Sequence, residues 1–568
     1  MAATPGRRSP KRGSVPGSSP YNGFDSGEPP RYALGLPMSA TFTILVADSI
    51  SPKGIELLSA NPSVRVLEKT GLTEDQLVEV AASCEAILVR SQSKITRRIL
   101  EKAEKLRVVG RAGVGVDNVD VAAATERGIV VMNTPGGNTI ATAEQTVALL
   151  LALARSIPQA DASMRAGAWN RKAFEGVELC GKVLGIVGMG RVGTEVARRA
   201  LGFNMRVICF DPYLSPARVQ NLPVQVADNL DTVLKEADFL TLHSPLTPET
   251  KGLLDARRLA LCKKGVRIVN CARGGLIVAN DLRDAIASGH VAGAALDVFD
   301  PEPPPADFPL RSLPNVILTP HLAASTAESQ EQVGIEIAQA VLELLMNGTI
   351  RNAVNIPNVD PRTATLLRPY LSLAERLGLF MGQWAPNRMS RVTLSYAGKI
   401  NEYDTTPVTR AALKGLLRKV AGSEVNEVNA AYLADTLGIV VSEVKTTQAG
   451  EFTDWIGMEV QVDSTTLQAG ATFWGTAERL VQINGNPIEA PLQGALLVLE
   501  NRDRPGIVGR VGSILGERSV NIASMSLARA VQGSRAVSVL HVDGAPGSEV
   551  LEEILRVPDV YSVRLVQI

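Results

Sequence analysis

The chain of 568 residues has the length of about three or four domains. Lys+Arg and Asp+Glu both total 58, so the formal charge is zero, which argues against a nucleic-acid-binding protein with its usual basic excess. The longest apolar run, Val147 to Ala154, falls far short of the ~18 residues of a membrane span, and five scattered cysteines without a CxxC pair fit a reducing compartment.

Residues 1–40 are rich in Pro, Gly and Ser and hold nothing that builds a core, so a disordered tail is expected. They lack the apolar stretch of a secretory signal, and their prolines and glycines suit an amphipathic transit helix poorly. A dispensable tail is weighed above organellar targeting, and the protein is expected in the cytoplasm. From Thr41, short β-branched runs at 42–46, 64–67, 86–89 and 129–132 alternate with helical patterns, predicting a parallel sheet covered on both faces. Asn138 to Ala166 reads as one long helix. Strands at 182–187, 206–210, 238–243, 266–271, 292–297 and 315–319, with helices between them, then predict a doubly wound nucleotide fold.

The apolar period of 325–347 predicts a helix stopped by Gly348, and the prolines of 356–361 mark a boundary. Residues 362–490 mix helix and strand. The last segment reads as strand 495–499, helix 506–517, strands 521–529 and 535–542, helix 548–556 and strand 560–567. That βαββαβ order is a ferredoxin-like unit.

The clearest motif is Gly188-Met189-Gly190-Arg191-Val192-Gly193, preceded by a strand and followed by a helix. Gly188 permits the tight turn, Gly190 lets backbone approach a pyrophosphate, and Gly193 lets helix pack on strand. The helix N-terminus offers unpaired N–H groups to the phosphates. Asp211 ends the next strand 21 residues after Gly190, placed to hold the adenine ribose hydroxyls and to repel a 2′-phosphate. NAD is therefore expected over NADP.

Three runs lie at the carboxyl ends of later strands, where such sheets bind ligands. They are Asn270-Cys271-Ala272-Arg273-Gly274-Gly275, Leu296-Asp297-Val298-Phe299-Asp300-Pro301-Glu302 and Thr319-Pro320-His321. Oxidising a secondary alcohol needs a base, a cation for a substrate carboxylate and an acid to tune the base. His321, Arg273 and Glu302 are those residue types. Of the other histidines, His290 and His541 have no partner motif and are read as structural.

Joined to the glycine loop, these runs and the segments Gly110-Arg111-Ala112-Gly113-Val114-Gly115-Val116-Asp117-Asn118 and Asn133-Thr134-Pro135-Gly136-Gly137-Asn138 resemble the D-2-hydroxyacid dehydrogenase family, in its long form with a C-terminal ACT domain. The resemblance covers everything beyond the tail. It implies a Rossmann NAD-binding domain (138–322) inserted in a flavodoxin-like substrate domain (41–137 and 323–360), then an α+β intervening domain (361–490) and the ACT domain (494–568). The implied activity is NAD-dependent oxidation of D-3-phosphoglycerate to 3-phosphohydroxypyruvate, the opening step of phosphorylated L-serine biosynthesis.

By the same resemblance, His321 takes the C2 hydroxyl proton, Glu302 orients the imidazole and Arg273 forks onto the carboxylate. Arg191, Val192, Ser244, Cys271 and Asp297 are implied to lie along the cofactor, with Asp297 at its carboxamide end. Val114 stands where some relatives carry a cofactor-contacting threonine, and that contact is not carried over. Arg90, Ser91, Arg111, Gly113 and Asn138 are candidates for the substrate phosphate; Arg171 and Lys172 are candidates to reach a neighbouring subunit's site. In the ACT segment, Asn501, Asp503 and Asn521 are implied to hold an L-serine effector, and Lys445 and Arg479 an anion in the intervening domain. A homo-oligomer is expected, without metal, nucleic acid or membrane. Two alternatives share the scaffold: a glyoxylate or hydroxypyruvate reductase, and a non-catalytic sensor of NAD or amino acid, against which the Arg273, Glu302 and His321 set speaks.

Overall fold

A computed structural model describes residues 41–568 apart from 216–218, 386–387, 448–451, 530 and 532; the expected tail lies outside the described residues. Five strands, β1 (Phe42–Val46), β2 (Val64–Glu68), β3 (Ala86–Val89), β4 (Val108–Arg111) and β5 (Val130–Met132), form a sheet of order β2-β1-β3-β4-β5. All of its pairings are parallel. Parallel strands buried on both faces need continuous apolar runs, and Ala86–Val89 is buried at all four positions.

The second sheet holds β6 (Val183–Val187), β7 (Arg206–Phe210), β8 (Gln225–Val226), β9 (Phe239–Leu242), β10 (Val266–Asn270), β11 (Val291–Leu296) and β12 (Val316–Leu318). Its order, β12-β11-β10-β9-β6-β7-β8, reverses between β6 and β9. Such a switch point opens a crevice at the carboxyl ends of the strands. The chain crosses to this sheet after β5 and returns in helix Ala327–Asn347, which packs on helix Pro52–Ser59 and on β4 and β5. The two helices approach closely at Gly54, where a Cβ would lie 2.6 Å from the Gly334 carbonyl oxygen. Beside the crossings, the Ser329 hydroxyl donates to the Gly137 carbonyl at 3.2 Å.

The predicted helix over 138–166 is two helices, Thr139–Arg155 and Ile157–Arg165, bent by 63°. Ser156 between them is left-handed at φ 49. Pro158 has no N–H to give to the Ala154 carbonyl, which accepts from Val177 N at 2.9 Å instead. Among the described residues, no single helix is long and apolar enough to cross a membrane.

Helices Pro361–Trp384 and Thr406–Ala421 pack backbone to backbone. A Cβ on Gly378, Gly382 or Gly415 would sit 2.0 to 2.2 Å from the facing carbonyl oxygens of Ala412, Leu416 and Glu375. They cover a six-stranded sheet of β13 (Met389–Gly398), β14 (Val440–Thr446), β15 (Asp454–Val462), β16 (Thr465–Trp474), β17 (Ala477–Ile483) and β18 (Asn486–Pro491), in the order β14-β13-β15-β16-β17-β18. From this unit Val428 enters the core of the first sheet, beside Phe42, Ile44 and Ala353. The Asn426 amide donates to Gly128 O at 2.8 Å.

The last sheet, β19 (Ala495–Arg502), β20 (Ile522–Arg529), β21 (Arg535–Val542) and β22 (Val560–Gln567), has the ferredoxin-like order β20-β21-β19-β22. Alternation splits β19: Leu497 and Leu499 face the helices Ile507–Glu517 and Ser548–Leu555. Leu496 and Val498 join the core of the preceding unit. The central strand β19 is therefore buried on both faces within one chain.

Candidate active site

The glycine loop has the shape its residues require. Gly188 has φ 95, and a Cβ there would press on the His243 carbonyl group at 2.7 Å. A Cβ on Gly193 would lie 2.2 Å from Gly188 O, whereas one on Gly190 meets nothing within 4 Å. That open space lies at the start of helix Arg191–Gly202, which has no side-chain cap, so its first amides are free for a pyrophosphate. Asp211 accepts from Met189 N and Tyr213 N, both at 2.9 Å. These residues fit NAD: the loop, the uncapped helix and Asp211 would hold its pyrophosphate and ribose. Arg191 is exposed and reaches Pro135 O at 3.3 Å. Ser244 lies against Val187 O at 3.3 Å, and Val192 is half-buried beside the helix core. Neighbouring His243, paired with the Thr241 hydroxyl at 3.0 Å, is pushed down by burial to about 4.

Two of the residues expected on the cofactor are buried. Asp297 is 0% exposed. One of its carboxylate oxygens accepts from the Thr319 hydroxyl at 2.5 Å and Leu322 N at 2.8 Å, the other from Ala323 N at 2.8 Å. It grips the segment that carries His321. Cys271 is buried in the core, where burial pushes its thiol up to about 12, opposed by a hydrogen bond with Thr146.

The structure brings the three chemical residues together. His321 Nδ1 is 2.8 Å from Glu302 Oε2, and Glu302 Oε1 accepts from Phe299 N at 2.9 Å. Burial acts to raise Glu302, but the hydrogen bonds from His321 and Phe299, with the charges of His321 and Arg273, hold it below the usual carboxylate range. His321 itself has left-handed backbone, φ 54, a conformation its surroundings must enforce. Arg273 faces the loop after β4, with Nε donating to Asp117 Oδ2 at 3.0 Å.

Arg90 and Arg111 stand at the ends of β3 and β4, on the facing lip. Burial lowers both; for Arg111 burial comes first, then the charges of Arg273 and Arg90, and it falls to about 10. Its Nε is buried without a partner, which suits a site awaiting an anion. Gly113, at φ 143, leaves room for the Arg111 guanidinium, from which a Cβ would be 1.6 Å away. Asn138 sits half-buried at the crossing with Oδ1 unpaired; Ser91 is exposed.

Sequence reasoning gave no role to the residues that shape this lip. The buried Asp48 accepts from Arg90 N at 2.7 Å, Ser93 N at 3.0 Å and the Ser93 hydroxyl at 2.6 Å. Asn118 Nδ2 donates to the carbonyls of Arg90 and Ser93 at 2.9 and 2.6 Å. The loop carrying Arg90 and Ser91 is thus clamped through its amides and its carbonyls. An acid directly after the apolar run Phe42–Ala47 was the available signal.

The effector candidates do not converge within one chain. Asp503, beyond the end of β19, accepts from Gly533 N at 3.1 Å and pairs with Arg529, and Asn501 is buried with Oδ1 unpaired. Asn521 lies just before β20 and its amide donates to Asp543 at 2.7 Å. Because β19 and β20 both run antiparallel to β21, these two groups lie at opposite ends of the sheet, roughly 25 Å apart. Lys445 on β14 and Arg479 on β17 are likewise separated by three strands, or roughly 19 Å at ~4.8 Å per strand. Arg171 and Lys172 lie in an exposed 3-10 turn.

Sheet order, glycine loop and the arginine–glutamate–histidine cleft define a 2-hydroxyacid dehydrogenase that takes NAD. Residues 147–323 match the family described as D-isomer specific 2-hydroxyacid dehydrogenase, NAD binding domain. Residues 366–484 match the D-3-phosphoglycerate dehydrogenase intervening domain, and 495–559 the ACT domain. The chain is 40% identical to D-3-phosphoglycerate dehydrogenase of Methanocaldococcus jannaschii over 92% of its own length and 99% of that protein. With the enzyme of the same name from Bacillus subtilis it shares 40% identity over 93% of its length and 100% of the relative. The chain belongs to the D-3-phosphoglycerate dehydrogenase family. A solved glyoxylate reductase from Paecilomyes thermophila, 29% identical with a TM-score of 0.52, covers only 56% of this chain, although 99% of that structure is matched.

Proposed function

We infer that the chain oxidises D-3-phosphoglycerate at C2 with NAD, giving 3-phosphohydroxypyruvate and opening phosphorylated L-serine biosynthesis. The observation that carries this reading is the His321–Glu302 pair at 2.8 Å, on the same lip as Arg273, with Arg90 and Arg111 at strand ends of the facing lip. A short hydroxy acid with an anion at each end suits a cleft with cations on both lips. Arg273 takes the carboxylate; Arg90 and Arg111, with Ser91, Gly113 and Asn138 beside them, take the phosphate. Glu302 accepts from His321 Nδ1–H, which leaves Nε2 with a lone pair for the C2 hydroxyl proton. Bound NAD supplies the hydride acceptor. Because Glu302 is held below its ordinary value of 4.5, its stabilising contribution is present above pH 4.5 and is lost only as the pH falls through the lower folded value.

The substrate assignment is tested by a panel of 3-phosphohydroxypyruvate, hydroxypyruvate and glyoxylate with NADH, with and without L-serine. The phosphorylated acid should lead in kcat/KM by at least about 10²-fold, since unphosphorylated acids leave buried cations unpaired. Preference for hydroxypyruvate or glyoxylate would overturn it. Asp211→Ala should reduce the preference for NAD over NADP by roughly 10²-fold, the scale of one removed like-charge repulsion. An unchanged cofactor ratio would take Asp211 out of the cofactor site.

Division into domains 41–137 with 323–360, 138–322, 361–490 and 494–568 belongs to the same reading. Trp169, 77% exposed, with Ile157 and Met164 more than half exposed, supports docking of a second copy on the bent helix pair. The opposite placement of Asp503 and Asn521 supports an L-serine site completed between two copies, one giving the Asn501–Asp503 end and the other Asn521. Light scattering should report an oligomer; a monomer would remove both statements. Five free cysteines, four of them buried, suit a cytoplasmic setting.

A further inference from the structure

Asp117 lies on the loop after β4, in the first sheet, yet its one ion pair is with Arg273 of the second. Among the described residues this is the ion pair that joins the two halves of the cleft. The guanidinium has little freedom left. Nε donates to Asp117 Oδ2 at 3.0 Å and Nη1 to the Ala272 carbonyl at 2.7 Å. Nη2 rests on Gly115, where a Cβ would lie 1.8 Å from it and 2.8 Å from Asp117 Oδ2. A two-pronged grip on a carboxylate needs two parallel N–H groups along one edge of the guanidinium. The edge that carries Nε is not free while the Asp117 contact stands.

The neighbouring charges show which contact gives way. Arg273 and Arg90 both lie close enough to act on Arg111, and Asp117 and Asp48 are the acids that act on it. Asp48 is buried and committed to the amides of 90–93. The Asp117 side chain is 67% exposed and that of Arg273 29%, so Asp117 can swing into water at little cost. Its carboxylate occupies the arginine that a substrate carboxylate is to take.

We propose that Asp117 is a specificity-determining residue: an internal carboxylate that parks Arg273 until a substrate carboxylate displaces it. The proposal rests on the reading of Arg273 as the carboxylate fork. An acid at C1 can make the exchange, charge for charge. An amide or alcohol at that position cannot, because it would leave Arg273 without an anionic partner. Gly115 belongs to the same device, since a side chain there would push the guanidinium off its resting place.

The test is steady-state reduction of 3-phosphohydroxypyruvate with NADH by the full-length chain, comparing Asp117→Asn, Asp117→Glu, Arg273→Ala and the double variant Asp117→Asn/Arg273→Ala. Removing a competitor strengthens substrate and transition state alike, so Asp117→Asn should lower KM and leave kcat unchanged. The expected gain is about two- to five-fold, the range for a largely exposed ion pair, and Asp117→Glu should return KM towards the parent value. In the Arg273→Ala background the asparagine should change nothing, because the competition needs Arg273. An unchanged or raised KM in Asp117→Asn, with thermal unfolding as in the parent, overturns the proposal. So does a gain that persists without Arg273, which would mark a diffuse field effect. If Arg273→Ala alone left KM intact, the carboxylate reading of Arg273 would fall first.

Discussion

Replacing His321 by asparagine should lower kcat by roughly 10²- to 10⁴-fold, the usual contribution of a positioned general base. Asparagine keeps a donor near the place of Nδ1, so the hydrogen bond to Glu302 Oε2, 2.8 Å in the parent, can be retained. It has no basic nitrogen in the place of Nε2. Binding of NADH should stay within a few-fold, since the glycine loop and Asp211 lie on other strands. The measurement is a single-turnover rate beside a fluorescence titration with NADH. A rate within ten-fold of the parent would remove His321 as the base.

Asp297→Ala has the other large expected effect, on stability first and on rate through it. Three buried or half-buried donors, the Thr319 hydroxyl and the amides of Leu322 and Ala323, lose their acceptor together. At ~1–3 kcal/mol for each stranded donor, a loss of about 3–5 kcal/mol is expected on denaturant unfolding. The left-handed backbone of His321, φ 54, is held between these anchors, so kcat should fall with the imidazole displaced. KM for NADH should hold, because the carboxylate is fully buried and committed to these three donors. A raised KM for NADH at unchanged stability would restore the direct cofactor contact expected from sequence and refute the clamp.

Asp297 also illustrates what a sequence carries and what it withholds. The glycine loop, Asp211 and the Arg273, Glu302 and His321 set were legible because each is chemistry bound to a local turn or strand end. Which way an acid at a strand end points is not local: Asp297 is turned by residues 22 to 26 positions further on. The clamp of Asp48 spans 42 to 45 positions, and no periodicity announces it. Ser156 broke a helix because the following proline left Ala154 O for Val177. Strand direction separated Asp503 from Asn521, and strand order separated Lys445 from Arg479. The two strand–helix alternations and the closing βαββαβ order were readable; the burial of β19 on its second face was not, since Leu496 and Val498 read as ordinary core whichever layer covers them.

The chain passes between the first and second sheets twice, and the Ser329–Gly137 hydrogen bond at 3.2 Å sets the two passages side by side. A body hung on two adjacent pins behaves like a door leaf: it swings about one line and resists sliding or twisting. Arg273, Glu302 and His321 all ride on that leaf, while Arg90, Arg111 and Gly113 belong to the frame. A swing about that line would carry base, acid and fork together, because the 2.8 Å contact between imidazole and carboxylate lies within the leaf. It would change the gap between the two lips, and so the length of molecule whose two charged ends can be held at once.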